Sequence, residues 1–178
     1  MSDPISVSQR HRVDWPSLKW VFARAHRALA FGFGSGLIRP GSGTWGSVLG
    51  LGLWWPLNSV LSASVLALFV LLAALAGIWI CQRTVDELGV PDHVGIVWDE
   101  IVAVWIVLWA LPPVLWIALV GFVLFRVFDV AKPWPIRTLD ASVAGGLGVM
   151  LDDLVAALYA VVLGWAIWWF WGYFGALG

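Results

Sequence analysis

Three stretches of this chain carry no charged residue: 40–82, 101–125 and 154–178. Each is at least as long as the roughly 20 apolar residues needed to cross a hydrocarbon core of about 30 Å. Charge is confined to the segments between them. A soluble domain carries about 25% charged residues; here the figure is 12%, against 61% hydrophobic. Fifteen tryptophans suit a chain with rings at the headgroup level of a bilayer. The expected class is therefore an all-α integral membrane protein. Cys81 is the only cysteine, which excludes an intrachain disulfide and a cysteine-based zinc site. The net charge of −1 gives no pointer to nucleic acid. The first forty residues hold several basic residues and no long apolar core, so no cleavable signal is expected.

The runs subdivide. Residues 40–82 exceed one span, and Pro56, Asn58 and Ser59 supply a turn, which predicts a helical hairpin with arms 44–57 and 61–82. Pro112-Pro113 splits 101–125 into two arms of about a dozen residues. At about 1.5 Å per residue each is too short to cross alone, which predicts a tilted or re-entrant hairpin. Residues 154–178 form a final span, with Trp165, Trp168, Trp169, Trp171 and Tyr173 as its far-side aromatic belt. Parity then gathers the charged segments on one face. The Lys and Arg content of the N-terminal segment makes that face cytoplasmic. Residues 16–30 read as one helix capped by Asp14 or Ser17. Lys19, Arg24, His26 and Arg27 lie on one side, and Leu18, Val21, Phe22, Ala25 and Leu29 on the other. Such a helix lies on an anionic leaflet or packs on the protein's own cytoplasmic face. The expected architecture is a helical bundle of two hairpins, a final span and an N-terminal amphipathic helix. Residues 1–30 are expected to form the tail and helix, and 31–178 one membrane-embedded domain that carries the functional site.

The polar segments carry the chemistry. Residues 31–47 are rich in Gly and Ser; a loop of this kind offers backbone amides to an anion, or simply turns the chain back into the membrane. No Gly-Lys-Ser/Thr follows, so it is not a Walker loop. Asp99 and Glu100 are adjacent carboxylates at the edge of an apolar run; a helix cap needs only one. Arg126, Asp129 and Lys132 are three apart, along one helix face, before Pro133 and Pro135 stop the helix. An ion-pair ladder is the plainer reading of that spacing. Gly145, Gly146 and Gly148 read as a second flexible loop, ahead of Asp152-Asp153 at the start of another apolar helix.

Five carboxylates, Asp99, Glu100, Asp129, Asp152 and Asp153, thus share a face with Arg126, Lys132 and Arg137. All-oxygen clusters suit hard cations such as Mg²⁺, and the basic residues with the glycine loops suit phosphate. The combination favours a metal-dependent enzyme acting on a lipid phosphate. An ion- or proton-coupled transporter using the same carboxylates is the alternative. Cys81 has no arginine six residues on, and Asp129-Val-Ala-Lys132 lacks the Asp-x-Asp of aspartyl-phosphate phosphatases. The histidines, His11, His26 and His93, are scattered; only His93 lies close to an acidic pair.

Four segments carry a resemblance: FGSGLIRPGSGTWGS (33–47), DHVGIVWDE (92–100), FRVFDVAKPWPIRTLD (125–140) and GGLGVMLDDLVAALYA (145–160). In this order they resemble the phosphatidylglycerophosphatase A family, and the third block is long and unusual enough to be highly specific. Two departures stand out. The family's Pro-Gly-Thr-x-Gly-Ser has two extra residues within 40–47, and its Asp-Asp-x2-Ala-Gly ends here in Ala157. The resemblance implies a Mg²⁺-dependent, multi-pass enzyme of the bacterial inner membrane, active on a phospholipid of the cytoplasmic leaflet. It would release the terminal phosphate of phosphatidylglycerophosphate in phospholipid biosynthesis. A homo-oligomer is left open. On this expectation Asp99, Glu100, Asp129, Asp152 and Asp153 hold the metal. Arg126, Asp129, Lys132, Asp152 and Asp153 form the catalytic group, and Gly43, Thr44, Gly46, Ser47 and Arg137 bind substrate.

Overall fold

The computed structural model describes residues 15–90 and 93–175, and among these it is helical, with no strand. The expected single helix 16–30 is instead two short ones, α1 (Leu18–Phe22) and α2 (Ala25–Ala30), with Arg24 extended between them. Ser17 caps α1, its Oγ accepting from the Trp20 amide at 3.2 Å. The other expected cap, Asp14, lies outside the described residues, as does His11. These helices do not lie free. Arg24, His26 and Arg27 fold back onto Glu87 at 2.8, 3.1 and 2.6 Å.

A 3₁₀ segment, Gly32–Leu37, leads into α3 (Ser42–Val60), α4 (Ala63–Leu88), α5 (Trp98–Ala110), α6 (Leu115–Ala131), α7 (Ile136–Ser142) and α8 (Gly145–Gly175). The two expected hairpins are α3/α4 and α5/α6. Their boundaries differ from expectation in three places. Helix α3 begins at Ser42, so 42–47 is helix rather than loop. It also runs through Pro56 to Val60, and the turn falls at Leu61 and Ser62. Helix α8 begins at Gly145, which turns the chain with a left-handed φ of +76, so Gly146 and Gly148 are helical and Asp152-Asp153 lie two turns inside. Packing is the reason. The Gly146 amide donates to Gln82 Oε1 at 2.7 Å, and a Cβ at Gly146 would stand 2.1 Å from the Ile78 carbonyl oxygen. Glycine here serves close approach of α8 to α4.

Helix α5 is the core. Ile101, Val102, Ala103, Val104, Trp105, Val107 and Leu108 are all buried. A buried indole N–H needs an acceptor, and helix carbonyls supply it. Trp98 Nε1 donates to Ala73 O of α4 at 3.1 Å, and Trp105 Nε1 to Gly50 O of α3 at 2.9 Å. At 13 residues α5 is about 20 Å long, short of a full crossing. By contrast, Ala63–Leu88 and Gly145–Tyr173 are long and apolar enough to span a membrane. Outward residues of α4, α6 and α8 are apolar and exposed, among them Leu68, Leu72, Val123, Val127, Leu158 and Val162. A soluble chain does not leave so much apolar surface to water; hydrocarbon as the surrounding solvent accounts for it.

The antiparallel order brings together the starts of α3, α5 and α8 and the ends of α4 and α6. At the opposite end Trp165 Nε1 donates to Ala110 O at 2.9 Å, across the turn between α5 and α6.

Candidate active site

A cavity of about 380 Å³ opens where those helix ends meet. Three acids stand close together in it. Asp99 and Glu100 sit in the first turn of α5, and Asp153 two turns into α8. Each can present one oxygen to a common point, these oxygens lying within 4.8 Å of one another. Asp99 Oδ1, Glu100 Oε2 and Asp153 Oδ2 are buried and have no hydrogen-bond partner. Buried carboxylate oxygens are almost always satisfied, and three orphans side by side could together hold a cation. The donor set is all oxygen, which suits a hard divalent ion such as Mg²⁺ and not a thiophilic one.

Two cations flank this group, each held by carboxylates. Arg126, near the end of α6, pairs with Asp129 at 2.6 Å. It also donates to Ser47 Oγ at 3.2 Å and Thr44 Oγ1 at 3.4 Å on α3. One anion of an i,i+3 ladder is thus present, but the ladder stops there. Lys132 ends α6 in the left-handed conformation, φ +42. That turn carries its side chain across the cavity to Asp152 at 2.6 Å and Asp140 at 3.1 Å. Burial alone would lower the pKa of the Lys132 ammonium. Its bonds to Asp152 and Asp140 outweigh that and raise it above the usual lysine range, so the charge is fixed.

The expected site residues are placed unevenly. Asp99, Glu100, Arg126, Asp129, Lys132, Asp152, Asp153 and Gly43 line the cavity. Asp129 and Asp152 are occupied by Arg126 and Lys132, outside the close acidic trio. Gly43 is in the first turn of α3. A Cβ on it would fall 2.2 Å from Glu100 Oε1, so only glycine admits the acid there. Thr44 and Ser47 reach the site through Arg126 rather than as a loop of amides. Gly46 packs on Val97, where a Cβ would meet the Val97 Cβ at 2.5 Å. Arg137 is exposed on α7 and does not line the cavity. Asp140, not singled out from the sequence, does. It closes the third resembling block, one turn into a helix too short to show a pattern. Ser42, also unforeseen, lines the cavity and donates to the Val94 carbonyl. His93 lines it too, its Nδ1 accepting from the Gly95 amide at 3.0 Å.

Fold and cavity together define an all-helical protein with membrane-length helices and, at one end of its bundle, a pocket of carboxylates and paired cations. The chain belongs to the phosphatidylglycerophosphatase A family, whose model matches residues 28–168. It is 49% identical over 140 residues to phosphatidylglycerophosphatase A of Haemophilus influenzae, covering 78% of this chain and 86% of that protein. To phosphatidylglycerophosphatase A of Escherichia coli it is 43% identical over 156 residues, covering 86% and 89%. No solved structure matches the chain.

Proposed function

We propose that this protein hydrolyses the terminal phosphomonoester of phosphatidylglycerophosphate, giving phosphatidylglycerol and inorganic phosphate, at the cytoplasmic face of a bacterial inner membrane. One observation carries the reading: three unpartnered, buried carboxylate oxygens stand between Arg126 and Lys132 in a single cavity. A phosphomonoester brings the anionic oxygens that such cations bind, and the relatives' names supply the lipid.

Asp99, Glu100 and Asp153 are the residues that would hold Mg²⁺. When bound, the ion supplies Lewis acidity toward the phosphoryl oxygens and a lowered pKa for the attacking water. The chain's own residues do the rest. Arg126, braced by Thr44, Ser47 and Asp129, presents its fork to the phosphate on one side. Lys132 presents a point charge on the other, held in reach by Asp152 and Asp140. Asp129 and Asp152 keep those cations oriented, and would join the metal only by releasing them. Hydrolysis breaks the bond between phosphorus and the glycerol oxygen; a proton must reach that oxygen as it leaves. Binding by charges already fixed in place costs little reorganisation when negative charge builds on the phosphoryl group.

The test is phosphate release from phosphatidylglycerophosphate by purified protein in detergent, with Mg²⁺ and with EDTA. Release that requires Mg²⁺ and is lost in Asp129→Ala and Asp152→Ala, both still folded, supports the reading. No release from the folded wild type under either condition would sink it and turn attention to ion-coupled transport.

A further inference from the structure

Away from the cavity, on the outer side of α4, a second group of cations gathers around one acid. Glu87 is nearly buried, 14% exposed, and accepts from Arg27 Nε at 2.6 Å, with His26 at 3.1 Å. Both inner partners are nearly buried as well. One guanidinium already neutralises the carboxylate. Yet Arg24 and Arg83 also converge on its other oxygen, at 2.8 and 3.4 Å, and their side chains are 53% and 51% exposed. Two guanidinium groups are thereby held side by side, in excess of the charge that Glu87 supplies. The nearby Asp86 is exposed and bonded to Gln82 at 2.8 Å; it leaves the cluster cationic.

Directly along α4 from Arg83 runs a stripe of exposed apolar residues at helical spacing: Leu68, Leu72, Leu75 and Trp79. Trp79 stands against His26, ring centroids 5.8 Å apart, at the point where stripe and cations meet. An apolar track of about 17 Å, close to the hydrocarbon depth of one leaflet, that ends in an aromatic ring and two half-exposed guanidinium groups matches an anionic phospholipid. The acyl chains lie along the track, and the phosphate takes the remaining donors of the forks.

We infer that Arg24 and Arg83, with Trp79, form a headgroup site for an anionic phospholipid of the surrounding leaflet, separate from the cavity. A lipid phosphate there would offset the repulsion between the two arginines and reinforce the tie that Glu87 already makes between the N-terminal helices and α4.

The test is native mass spectrometry of the detergent-solubilised full chain, titrated with phosphatidylserine, an anionic lipid that is not the product of the cavity, or with phosphatidylcholine. The wild type should retain phosphatidylserine in a salt-sensitive manner and phosphatidylcholine not at all. Arg24→Gln/Arg83→Gln should weaken the tightest phosphatidylserine binding by about tenfold or more. Arg24→Lys/Arg83→Lys, which keeps the charge, should retain most of it. Arg83→Gln alone leaves three partners on Glu87; it should weaken binding about threefold or more with an unchanged unfolding temperature, which guards against loss of fold in the double variant. Phosphate release from detergent-dispersed substrate should not change in any of these variants. Equal retention of the two lipids by the wild type, or undiminished binding by folded Arg83→Gln, would overturn the proposal.

Discussion

Glu100 shows what a single side chain can decide. Its Oε2 is buried without a partner, and its other oxygen lies where any side chain larger than hydrogen at residue 43 would collide. Glu100→Gln keeps the shape and removes the charge. Hydrolysis should fall at least about a hundredfold, as for loss of a group that orients or binds a metal. Independently of activity, the rise in unfolding temperature on adding Mg²⁺ to the wild type should be absent in Glu100→Gln. A variant that still gains stability from Mg²⁺ would remove Glu100 from the cation site. Gly43→Ala tests the same acid from the opposite side. A Cβ 2.2 Å from Glu100 Oε1 must push the carboxylate away from Asp99 and Asp153. Activity should drop about tenfold or more, at the level of misplacing a catalytic group by a fraction of an ångström, while the fold survives. Acids such as Glu100 were legible in the sequence because charge at a membrane edge is costly and stands out. Asp140 was not, because an acid in a short helix near water looks like any surface residue until Lys132 is seen to turn toward it.

At the scale of elements, the glycine-rich segments were recognised, but turning glycines such as Gly32, Gly34 and Gly41 could not be told from packing ones such as Gly146. Composition reports that a backbone can bend or come close; it does not say which. Gly145 bends, with φ +76, while at Gly146 the answer is close approach. Gly146 lies on α4, with Ile78 O 2.1 Å and Gln82 N 2.4 Å from where a Cβ would be. Those are backbone atoms, which cannot rotate away. Gly146→Ala should therefore lower stability by about 2 kcal/mol or more, read as a fall in the midpoint of thermal unfolding. Asp152 and Asp153 would be displaced with α8, so activity should fall in parallel. A variant as stable as the wild type would mean that α8 does not sit on α4 as described. The hairpins, by contrast, were legible. Pro112-Pro113 and the turn before residue 63 interrupt their apolar runs near the middle, whereas Pro56 misled because its place near the end of α3 lets the helix continue past it.

For the molecule as a whole, the strongest inference came from counting crossings, since an even number of helices between charged segments returns them to the same side. The structure brings those segments to one end of the bundle, around the cavity, with the turn at 61–62 at the opposite end. Val60 at that turn is 81% exposed, and Ser142, beside the cavity, is exposed too. Cys81, the only native cysteine, is buried and serves as an internal blank. Cysteines introduced separately as Val60→Cys and Ser142→Cys then report sidedness through a membrane-impermeant maleimide. Val60→Cys should label in cells whose inner membrane is intact. Ser142→Cys should label only once that membrane is opened, and the wild type in neither case. Labelling of both variants from outside would mean that α3 and the helices around the cavity do not cross as a bundle. A reversed pattern would put the cavity on the outer face. The outcome matters beyond topology, because Arg24, Arg83 and the cavity all lie toward the same end. Whichever leaflet Ser142 faces supplies both the lipid phosphate to be cleaved and the anionic lipid at the arginine pair.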